Sequence, residues 1–279
     1  MASSVLVTGA TGKTGAALVE RLRAGKAEVR TATRKPTASD DIRFEWRDRS
    51  THRPALEDAT AVYLVAPTDT TDQLPVMLPF LECALAVGVE RFVLLSASIV
   101  DQGGPMMGAV HAWLAAYAPR WTVLRPSWFM QNFVTQHLPA VLQDGAIYSA
   151  TRDGRVPFID VGDIADAAAR ALTDPTFTHG HAPILTGPEA LSYDEVAWAI
   201  SNVAGRLIRH VNQTFAEMSD RYEKLGLPAD YAAILAGLDD TIAQGAENRV
   251  TDEVELLSGH KPKNFATFLD EHRSAFGRE

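Results

Sequence analysis

The sequence has a single cysteine among its 279 residues, Cys83. A disulfide within one chain and a zinc site built from four thiolates are therefore excluded. Cys83 lies in an apolar run, which we interpret as part of a buried helix. The chain contains no stretch of about 18 uncharged apolar residues, the length that a membrane-spanning helix needs. The first residues also lack the pattern of a secretory signal. These absences predict a cytoplasmic protein without a membrane partner.

Basic clusters and metal-binding motifs are also absent. The chain has 26 Lys and Arg residues against 35 Asp and Glu residues, a net charge of −9, and no run of more than two cations. This balance argues against a nucleic-acid partner, because binding to phosphate backbones requires a basic surface. The eight histidines form no H-E-x-x-H motif or similar ligand set, so we predict no metal site.

The most informative segment lies at the start of the chain. An apolar run at 5–7 leads into a loop with three glycines spaced three residues apart, and an amphipathic stretch follows to about residue 22. A strand, a glycine-rich turn and a helix start in this order present backbone N–H groups to a phosphate. The spacing G-x-x-G-x-x-G is typical of extended and atypical short-chain dehydrogenases. The predicted cofactor contacts in this loop are Gly9, Thr11, Gly12, Lys13, Thr14 and Gly15.

Further apolar runs alternate with helical patterns along the chain. Predicted strands cover 27–33, 44–46, 61–65, 91–96, 121–125 and 181–186, and a terminal helix covers 265–276. This alternation predicts an α/β fold with a doubly wound parallel sheet, the NAD(P)-binding Rossmann fold. We expect a Rossmann domain at 1–145 and a smaller α/β substrate lobe at 146–279. The two are interleaved, since the helix at 162–172 is expected to return to the Rossmann core.

The end of the second predicted strand indicates which dinucleotide binds. An acidic residue there binds the ribose hydroxyls of NAD and repels the extra phosphate of NADP. This chain instead has Arg34 and Lys35. A guanidinium can grip a phosphate with two parallel hydrogen bonds. The predicted cofactor is therefore NADP(H), with Lys35 as either a second contact or a solvated surface charge.

Other predicted cofactor contacts follow from the order of the strands. Asp48 comes after the third predicted strand, where it would meet the adenine amino group. Ala66 and Pro67 follow the fourth strand and should pass beside the pyrophosphate and the nicotinamide ribose. Ser96 and Ala97 follow the fifth strand and should flank the nicotinamide.

The usual proton relay of short-chain dehydrogenases is missing. In that relay a lysine four residues after a tyrosine lowers the phenol pKa for proton transfer. None of the six tyrosines has a lysine at that position, and the segment where the pair is expected, residues 101–111, contains neither residue type. Two interpretations survive: the acceptor needs little acid assistance, or the dinucleotide is sensed and not consumed. Ser98 and His111 are the candidate catalytic residues, with a loop cap and a surface helix residue as their alternative roles.

Four segments carry a family resemblance that spans almost the whole chain. They are the glycine loop at 7–15, the segment at 122–133 with its Leu124-Arg125-Pro126 and Trp128-Phe129-Met130 motifs, and the segments at 156–165 and 185–192. Together they resemble the NmrA-like branch of atypical short-chain dehydrogenases, and within it the ergot-alkaloid reductase type.

The resemblance implies an NADPH-dependent reductase of a cyclic iminium that works without the Tyr–Lys pair. It implies cofactor or pocket contacts for Gly9, Gly12, Lys13, Gly15, Arg34 and the Trp128-Phe129 pair. Other members of the branch are quinone reductases or NADP sensors, so a quinone or enone reductase and a non-catalytic regulator remain alternatives. A homodimer formed by a helix pair is the default expectation for this type.

A set of apolar residues is expected to line the substrate pocket, with plain core packing as the alternative: Met106, Met107, Trp128, Phe129, Met130 and Phe133. Such a surface suits a small hydrophobic or cationic cyclic substrate, with a cation held over an aromatic face.

Overall fold

The computed structural model describes residues 4–277, and its backbone contacts divide the chain into two compact units. Unit 1 contains residues 4–126, Val161–Leu185 and Glu253–His260. Unit 2 contains Ser127–Asp160, Thr186–Asp252 and residues 261–277. The chain first leaves unit 1 after Pro126, earlier than the boundary at residue 145 that the sequence predicts. Both units are therefore assembled from segments that are not consecutive in the sequence.

The strands are numbered along the chain. They are β1 (Ser4–Val7), β2 (Glu28–Thr33), β3 (Asp41–Arg43), β4 (Ala61–Val65), β5 (Arg91–Leu95), β6 (Arg120–Pro126), β7 (Ala146–Ser149), β8 (Arg155–Val156), β9 (Ile184–Leu185), β10 (Leu191–Ser192) and β11 (Arg209–Asn212).

The α-helices are numbered in the same way. They are α1 (Lys13–Ala24), α2 (His52–Ala55), α3 (Leu74–Ala86), α4 (Met107–Tyr117), α5 (Leu138–Asp144), α6 (Val161–Thr173), α7 (Tyr193–Ala204), α8 (Phe215–Lys224), α9 (Ala229–Ala243), α10 (Glu253–Ser258), α11 (Phe265–Glu271) and α12 (Arg273–Phe276). Within residues 4–277, no helix combines the length and apolar character needed to cross a membrane.

Unit 1 is built on a seven-stranded sheet in the order β3-β2-β1-β4-β5-β6-β9. Every neighbouring pair in it is parallel. The chain builds outward from β1 to β3 on one side, then continues with β4 and adds strands on the other side. The direction of winding therefore reverses between β1 and β4, where ligands of such sheets bind, at the carboxyl ends of the strands. The predicted doubly wound parallel sheet is confirmed.

The central strands are buried on both faces, which explains why they are continuous apolar runs. Val5, Leu6 and Val7 are each 0% exposed, as are Val62 and Leu64 of β4. On one face Leu6, Val62 and Leu64 join a cluster with Phe80 of α3. Each fully buried side chain of this kind stabilises the fold by about 1.5–3 kcal/mol. This packing fixes the strand ends from which the loops of the site emerge.

Unit 2 contains two small sheets and an aromatic core. Strand β7 pairs in parallel with β11, and β8 pairs antiparallel with β10. Helix α7 begins with a capping box, in which the Glu195 N–H donates to Ser192 Oγ and the Ser192 N–H donates to Glu195 Oε2. The core contains Phe133, Phe158 and Tyr193, whose rings meet edge to face. Residues 225–228 separate α8 from α9.

The structure corrects the third predicted strand. The strand was expected at 44–46, but β3 lies at Asp41–Arg43. Phe44 and Trp46 instead form an edge-to-face cluster with Phe80, with ring centroids 5.1 and 5.3 Å from the Phe80 ring. The aromatic residues that suggested a strand therefore serve to cover the core beyond the end of β3.

Three smaller differences concern the second half of the chain. The strand expected at 181–186 is paired only at Ile184–Leu185, and β11 was not predicted. The terminal helix expected at 265–276 is divided into α11 and α12 at His272, whose backbone has a φ of −110° and a ψ of 17°. His272 Nδ1 lies 2.8 Å from the Phe268 carbonyl oxygen. This local bond accompanies the break and replaces a continuous helical turn.

Candidate cofactor and active site

The glycine loop between β1 and α1 packs too tightly for side chains at two positions. Gly9 has a φ of +63°, and a Cβ there would lie 2.9 Å from Val65 Cβ. A Cβ on Gly15 would lie 2.2 Å from the Gly9 carbonyl oxygen, whereas one on Gly12 would lie 3.2 Å from the same oxygen. The predicted glycines thus allow the loop to fold closely onto the first turn of α1. This is the backbone geometry that a dinucleotide pyrophosphate requires.

The first turn of α1 is suited electrostatically to a phosphate. No acidic residue lies there, and Gly12 at the N-cap supplies no side chain to satisfy the helix N–H groups. The Gly12 N–H donates to the Gly9 carbonyl at 2.9 Å, and the Ala16 N–H donates to the Gly12 carbonyl at 2.9 Å. The N–H groups between these bonds lie at the positive end of the helix dipole. An anion is the natural partner for this end.

The remaining predicted residues of the glycine loop differ in their exposure to solvent. Thr11 is exposed, Lys13 is half-buried, and Thr14 is only 4% exposed. Burial lowers the pKa of the Lys13 ammonium. The loop base is fixed by Thr8, whose hydroxyl donates to the Tyr63 carbonyl at 2.9 Å and accepts the Val65 N–H at 2.8 Å. These bonds tie the end of β1 to the end of β4, the two sides of the point where the winding reverses.

Arg34 and Lys35 directly follow β2, and both are exposed. Their loop is braced by Asp41, which sequence reasoning missed. The Asp41 carboxylate accepts the Thr37 N–H at 2.7 Å and the Ala38 N–H at 2.9 Å, and it also accepts from the Thr31 hydroxyl. These hydrogen bonds, led by that from Thr31, lower the pKa of Asp41 to about 2. The loop therefore offers two cations on a fixed backbone.

Asp48 has a local partner in this structure. It caps a short 3₁₀ turn at 49–51 by accepting the Ser50 N–H at 3.1 Å and the Ser50 hydroxyl at 2.6 Å. The Ser50 hydroxyl is the main cause of a lowered Asp48 pKa. Arg43 Nη2 lies 3.2 Å from its other oxygen. The contact of Asp48 with adenine stays a prediction.

The loops after β4 and β5 end at the same edge of the sheet as the glycine loop. Ala66, Pro67 and Ala97 are half-buried, and Ser96 is 7% exposed. The Ser96 N–H donates to the Leu124 carbonyl at 2.8 Å. Ser96 Oγ is buried and has no hydrogen-bond partner within residues 4–277. The loop thus carries a polar atom that a ligand at this edge can satisfy.

Arg125 braces the loop after β5, and sequence reasoning missed this role. Its Nη2 donates to the Ser98 carbonyl at 2.8 Å and to Asp101 Oδ1 at 2.7 Å. The Ser98 N–H donates to the Pro126 carbonyl at 2.9 Å. The Leu124-Arg125-Pro126 motif was the available signal. Residues at the end of β6 therefore hold both the carbonyl and the N–H of Ser98, which is 4% exposed.

His111 is 3% exposed in α4, so the alternative reading of a surface residue is wrong. Its ring centroid lies 5.3 Å from that of Trp121, and neither ring nitrogen has a partner in the described part of the chain. Burial lowers the pKa of His111, and the nearby Arg125 lowers it further. The imidazole is thus neutral at physiological pH, a state poorly suited to donating a proton. A catalytic role for His111 stays a prediction.

The turn before α4 carries backbone strain at Met106. This residue has a φ of +58° and a ψ of −129°, and the Gly108 N–H donates to the Pro105 carbonyl at 3.0 Å across the turn. Positive φ costs a residue with a Cβ about 1–3 kcal/mol and is most common at functional sites. The turn occupies the segment where the Tyr–Lys relay was expected. Met106 and Met107 are both half-buried.

The strain at Met106 predicts an inverted order of stability. Both Met106→Ala and Met106→Gly remove the same side-chain contacts, but only glycine adopts positive φ freely. We expect the glycine variant to be the more stable by about 1 kcal/mol, measured by urea unfolding. Met107→Gly and Met107→Ala, one residue later in α4, should show the ordinary order with alanine more stable. If alanine is the more stable substitution at both positions, the backbone of Met106 is not strained.

The predicted pocket residues of unit 2 divide into two groups. Trp128 and Phe129 are half-buried, whereas Met130 is 1% exposed and Phe133 is 0% exposed. Phe133 packs against Phe158 with ring centroids 5.0 Å apart. Trp128 and Phe129 therefore keep accessible surface, while Met130 and Phe133 form core behind them. Their contact with a substrate stays a prediction.

One group of potential metal ligands comes together in unit 1. Ligand atoms of Asp163, Asp166 and His260 all lie within 4.8 Å of one another. Asp166 also accepts from Arg21 Nε at 2.7 Å. Because this guanidinium already compensates the carboxylate, we assign no metal to the group.

Comparison with known proteins identifies the chain's relatives. The model of the NmrA-like family matches residues 1–269. The chain is 44% identical over 274 residues to the uncharacterized oxidoreductase YesF of Bacillus subtilis, covering 96% of this chain and 94% of that one. It is 40% identical over 286 residues to the agroclavine dehydrogenase of Claviceps fusiformis, covering 98% of each.

A solved structure shares the fold across nearly the full length. It is the NADPH-dependent quinone oxidoreductase QOR2 of Escherichia coli in complex with NADPH. The TM-score is 0.83 at 21% sequence identity, covering 96% of this chain and 99% of that one. At this identity the likeness concerns the fold.

Proposed function

The chain belongs to the NmrA-like family and is an NAD(P)H-dependent oxidoreductase, and from this premise we propose that it reduces a cyclic imine or iminium. The substrate we expect is a small hydrophobic, cationic ring compound. Its cofactor is NADP(H), which supplies a hydride when bound. The glycine loop fits this cofactor, because the close approach of Gly9 and Gly15 leaves backbone N–H groups for the pyrophosphate. Arg34 and Lys35 fit the additional phosphate.

The observation that carries the choice of substrate is the missing proton relay. None of the tyrosines is followed by a lysine four residues later, and a strained turn at Met106 stands in the segment where the pair was expected. His111 is buried and neutral. A ketone needs a proton at its oxygen as it is reduced, whereas an iminium already carries the positive charge that is neutralised. The residues present suit the second kind of acceptor.

The chain's own residues then bind, orient and exclude water. Arg125 holds the Ser98 carbonyl from one side, and the Pro126 carbonyl holds the Ser98 N–H from the other. A loop fixed in this way positions Ser96 and Ala97 beside the predicted nicotinamide site without reorganisation. In our proposal these residues orient the reactants, and none of them has to transfer a proton.

A panel of acceptors tests the proposal. NADPH oxidation is measured with a cyclic imine, an N-alkylated cyclic iminium, a quinone and an activated alkene, with NADH as the matched cofactor. We expect turnover of the imine and iminium, with NADPH strongly preferred. Exclusive turnover of the quinone or alkene would favour a quinone or enone reductase. Binding of NADPH without any turnover would favour a sensor and contradict the proposal.

A further inference from the structure

Helix α9 of unit 2 carries a buried carboxylate that the proposed reaction does not use. Asp239 is 3% exposed. Its Oδ2 accepts the Ala150 N–H at 2.9 Å, and within residues 4–277 no cation forms an ion pair with it. The adjacent Asp240 is different, because Arg152 lies 3.7 Å from its carboxylate and Gln244 donates to it at 2.8 Å.

Aromatic side chains from two other helices lie near Asp239. Burial raises the pKa of Tyr193, at the start of α7, and of Tyr222 in α8, and the nearby charge of Asp239 raises both further. Both phenols therefore lie within electrostatic reach of the carboxylate. Tyr222 packs with Tyr148 on the small apolar cluster of Ala150, Met218 and Ala236. Asp239 lies one helical turn after Ala236, so it borders this cluster.

Tyr193 connects the carboxylate to the aromatic core. Its ring meets that of Phe158 edge to face at 5.6 Å and that of Phe133 at 6.0 Å. A flat ring compound bound against the half-buried Tyr222, with the buried Tyr193 behind it, would thus meet aromatic side chains and one negative charge. This combination is the chemistry that recognises organic cations.

The fold does not require the charge of Asp239. Burying a carboxylate without a cation is unfavourable, and burial raises the pKa of Asp239 to about 6. An asparagine at this position would accept the same Ala150 N–H without that penalty. The carboxylate therefore lacks a partner of opposite charge, and the aromatic groups around it favour a cation in that place.

We propose that Asp239, together with Tyr193 and Tyr222, binds the positively charged nitrogen of a planar ring substrate. The inference rests on the proposed function and deepens it, because it assigns the recognition of the iminium charge to residues of unit 2. Asp239 would be a binding residue that selects cationic over neutral ring compounds of the same shape.

Binding of a cation that cannot be reduced tests the site without turnover. The probe is the dimethyl quaternary salt of tetrahydroisoquinoline, and its neutral control is the all-carbon isostere, a dimethyltetralin. Calorimetric titration of the NADP⁺ complex should show the cation bound at least about tenfold more tightly than the isostere. Asp239→Asn should remove this preference. The matched variant Asp240→Asn removes a half-buried carboxylate one residue away, which already pairs with Arg152, and should keep the preference for the cation.

Equal preference for the cation in wild type and Asp239→Asn would overturn the proposal. If Asp239→Asn does not fold, the pH dependence of cation binding to the wild-type protein still tests the proposed site. The groups near Asp239 are Tyr193 from α7, Tyr222 from α8 and the Ala150 N–H, and neither phenol titrates near neutrality. Two basic side chains border these phenols. Arg221 lies beside Tyr222, and His210, whose pKa is lowered by burial, packs on Tyr193 with ring centroids 5.7 Å apart. Affinity for the cation should therefore increase as the pH rises through about 6 and the carboxylate ionises. A flat profile would overturn the site.

The test separates this inference from the proposed function. If the cation binds in a way that depends on Asp239 but no imine is reduced, the binding site is supported and imine reduction is rejected. Reduction of imines with equal cation affinity in Asp239→Asn and wild type would retain the reaction and reject the site.

Discussion

Gly15→Ala is expected to weaken NADPH binding by about 10- to 100-fold, because a forced contact of this kind costs about 1–3 kcal/mol and displaces the binding loop. The new methyl group would lie 2.2 Å from the Gly9 carbonyl oxygen and 2.7 Å from its carbonyl carbon. Backbone atoms cannot rotate away as a flexible side chain can, so the loop must separate from α1. We also expect a loss of about 1–3 kcal/mol of stability from the forced contact.

Two variants on the same helix calibrate this result. Gly12→Ala places its methyl group 3.2 Å from the same oxygen, which a small shift can relieve, so its effect on NADPH affinity should be much smaller. Gly25→Ala at the other end of α1 meets its nearest atom at 3.4 Å and should bind NADPH like the wild type. Fluorescence titration measures the affinities and urea unfolding measures the stabilities. Similar affinity in Gly15→Ala and Gly25→Ala would contradict the assigned loop geometry.

Arg34→Gln is expected to raise the KM for NADPH about 10- to 100-fold and to leave the KM for NADH nearly unchanged. Arg34 is exposed and follows β2 on a loop that Asp41 holds in place. A guanidinium that binds only the additional phosphate contributes nothing to NADH. Glutamine keeps part of the length and polarity of the side chain but removes the charge.

Lys35→Gln is the matched control, since it removes a neighbouring exposed cation from the same loop. Because lysine offers a point charge where a guanidinium binds with two parallel hydrogen bonds, Lys35→Gln should raise the NADPH KM less than Arg34→Gln does. The comparison uses steady-state NADPH and NADH oxidation with one acceptor at constant salt, because exposed charges are screened. Equal increases of both KM values in Arg34→Gln would contradict the assignment to the phosphate.

Local patterns explain which features were predictable. The glycine spacing determines a turn whose contacts lie within a few residues and against the neighbouring strand, so the loop and the parallel sheet followed from the sequence. The capping box of Ser192 and Glu195 is equally local. Phe44 and Trp46 have the composition of a strand, but their packing on Phe80 is a tertiary contact that no local pattern shows.

The polar braces of the site were not predictable for the same reason. Arg125 reaches Ser98 and Asp101 across two strands, and Asp239 reaches Ala150 across 89 residues. His111 resembles a helix surface residue in sequence, yet it is buried beside Trp121. In each case the environment of the side chain depends on how distant elements pack. The burial of such groups and the charges around them can be determined only from the structure.

The most direct test of the central claim follows the reduction of an N-alkylated cyclic iminium by NADPH in ordinary and heavy water across a range of pH. Single-turnover rates at saturating iminium, with deuterated and normal NADPH, show whether the transfer step itself is observed. We predict a primary isotope effect from the cofactor, no solvent isotope effect, and a rate of transfer that is independent of pH. A substantial solvent isotope effect, with a rate that falls as an acidic group loses its proton, would contradict the account.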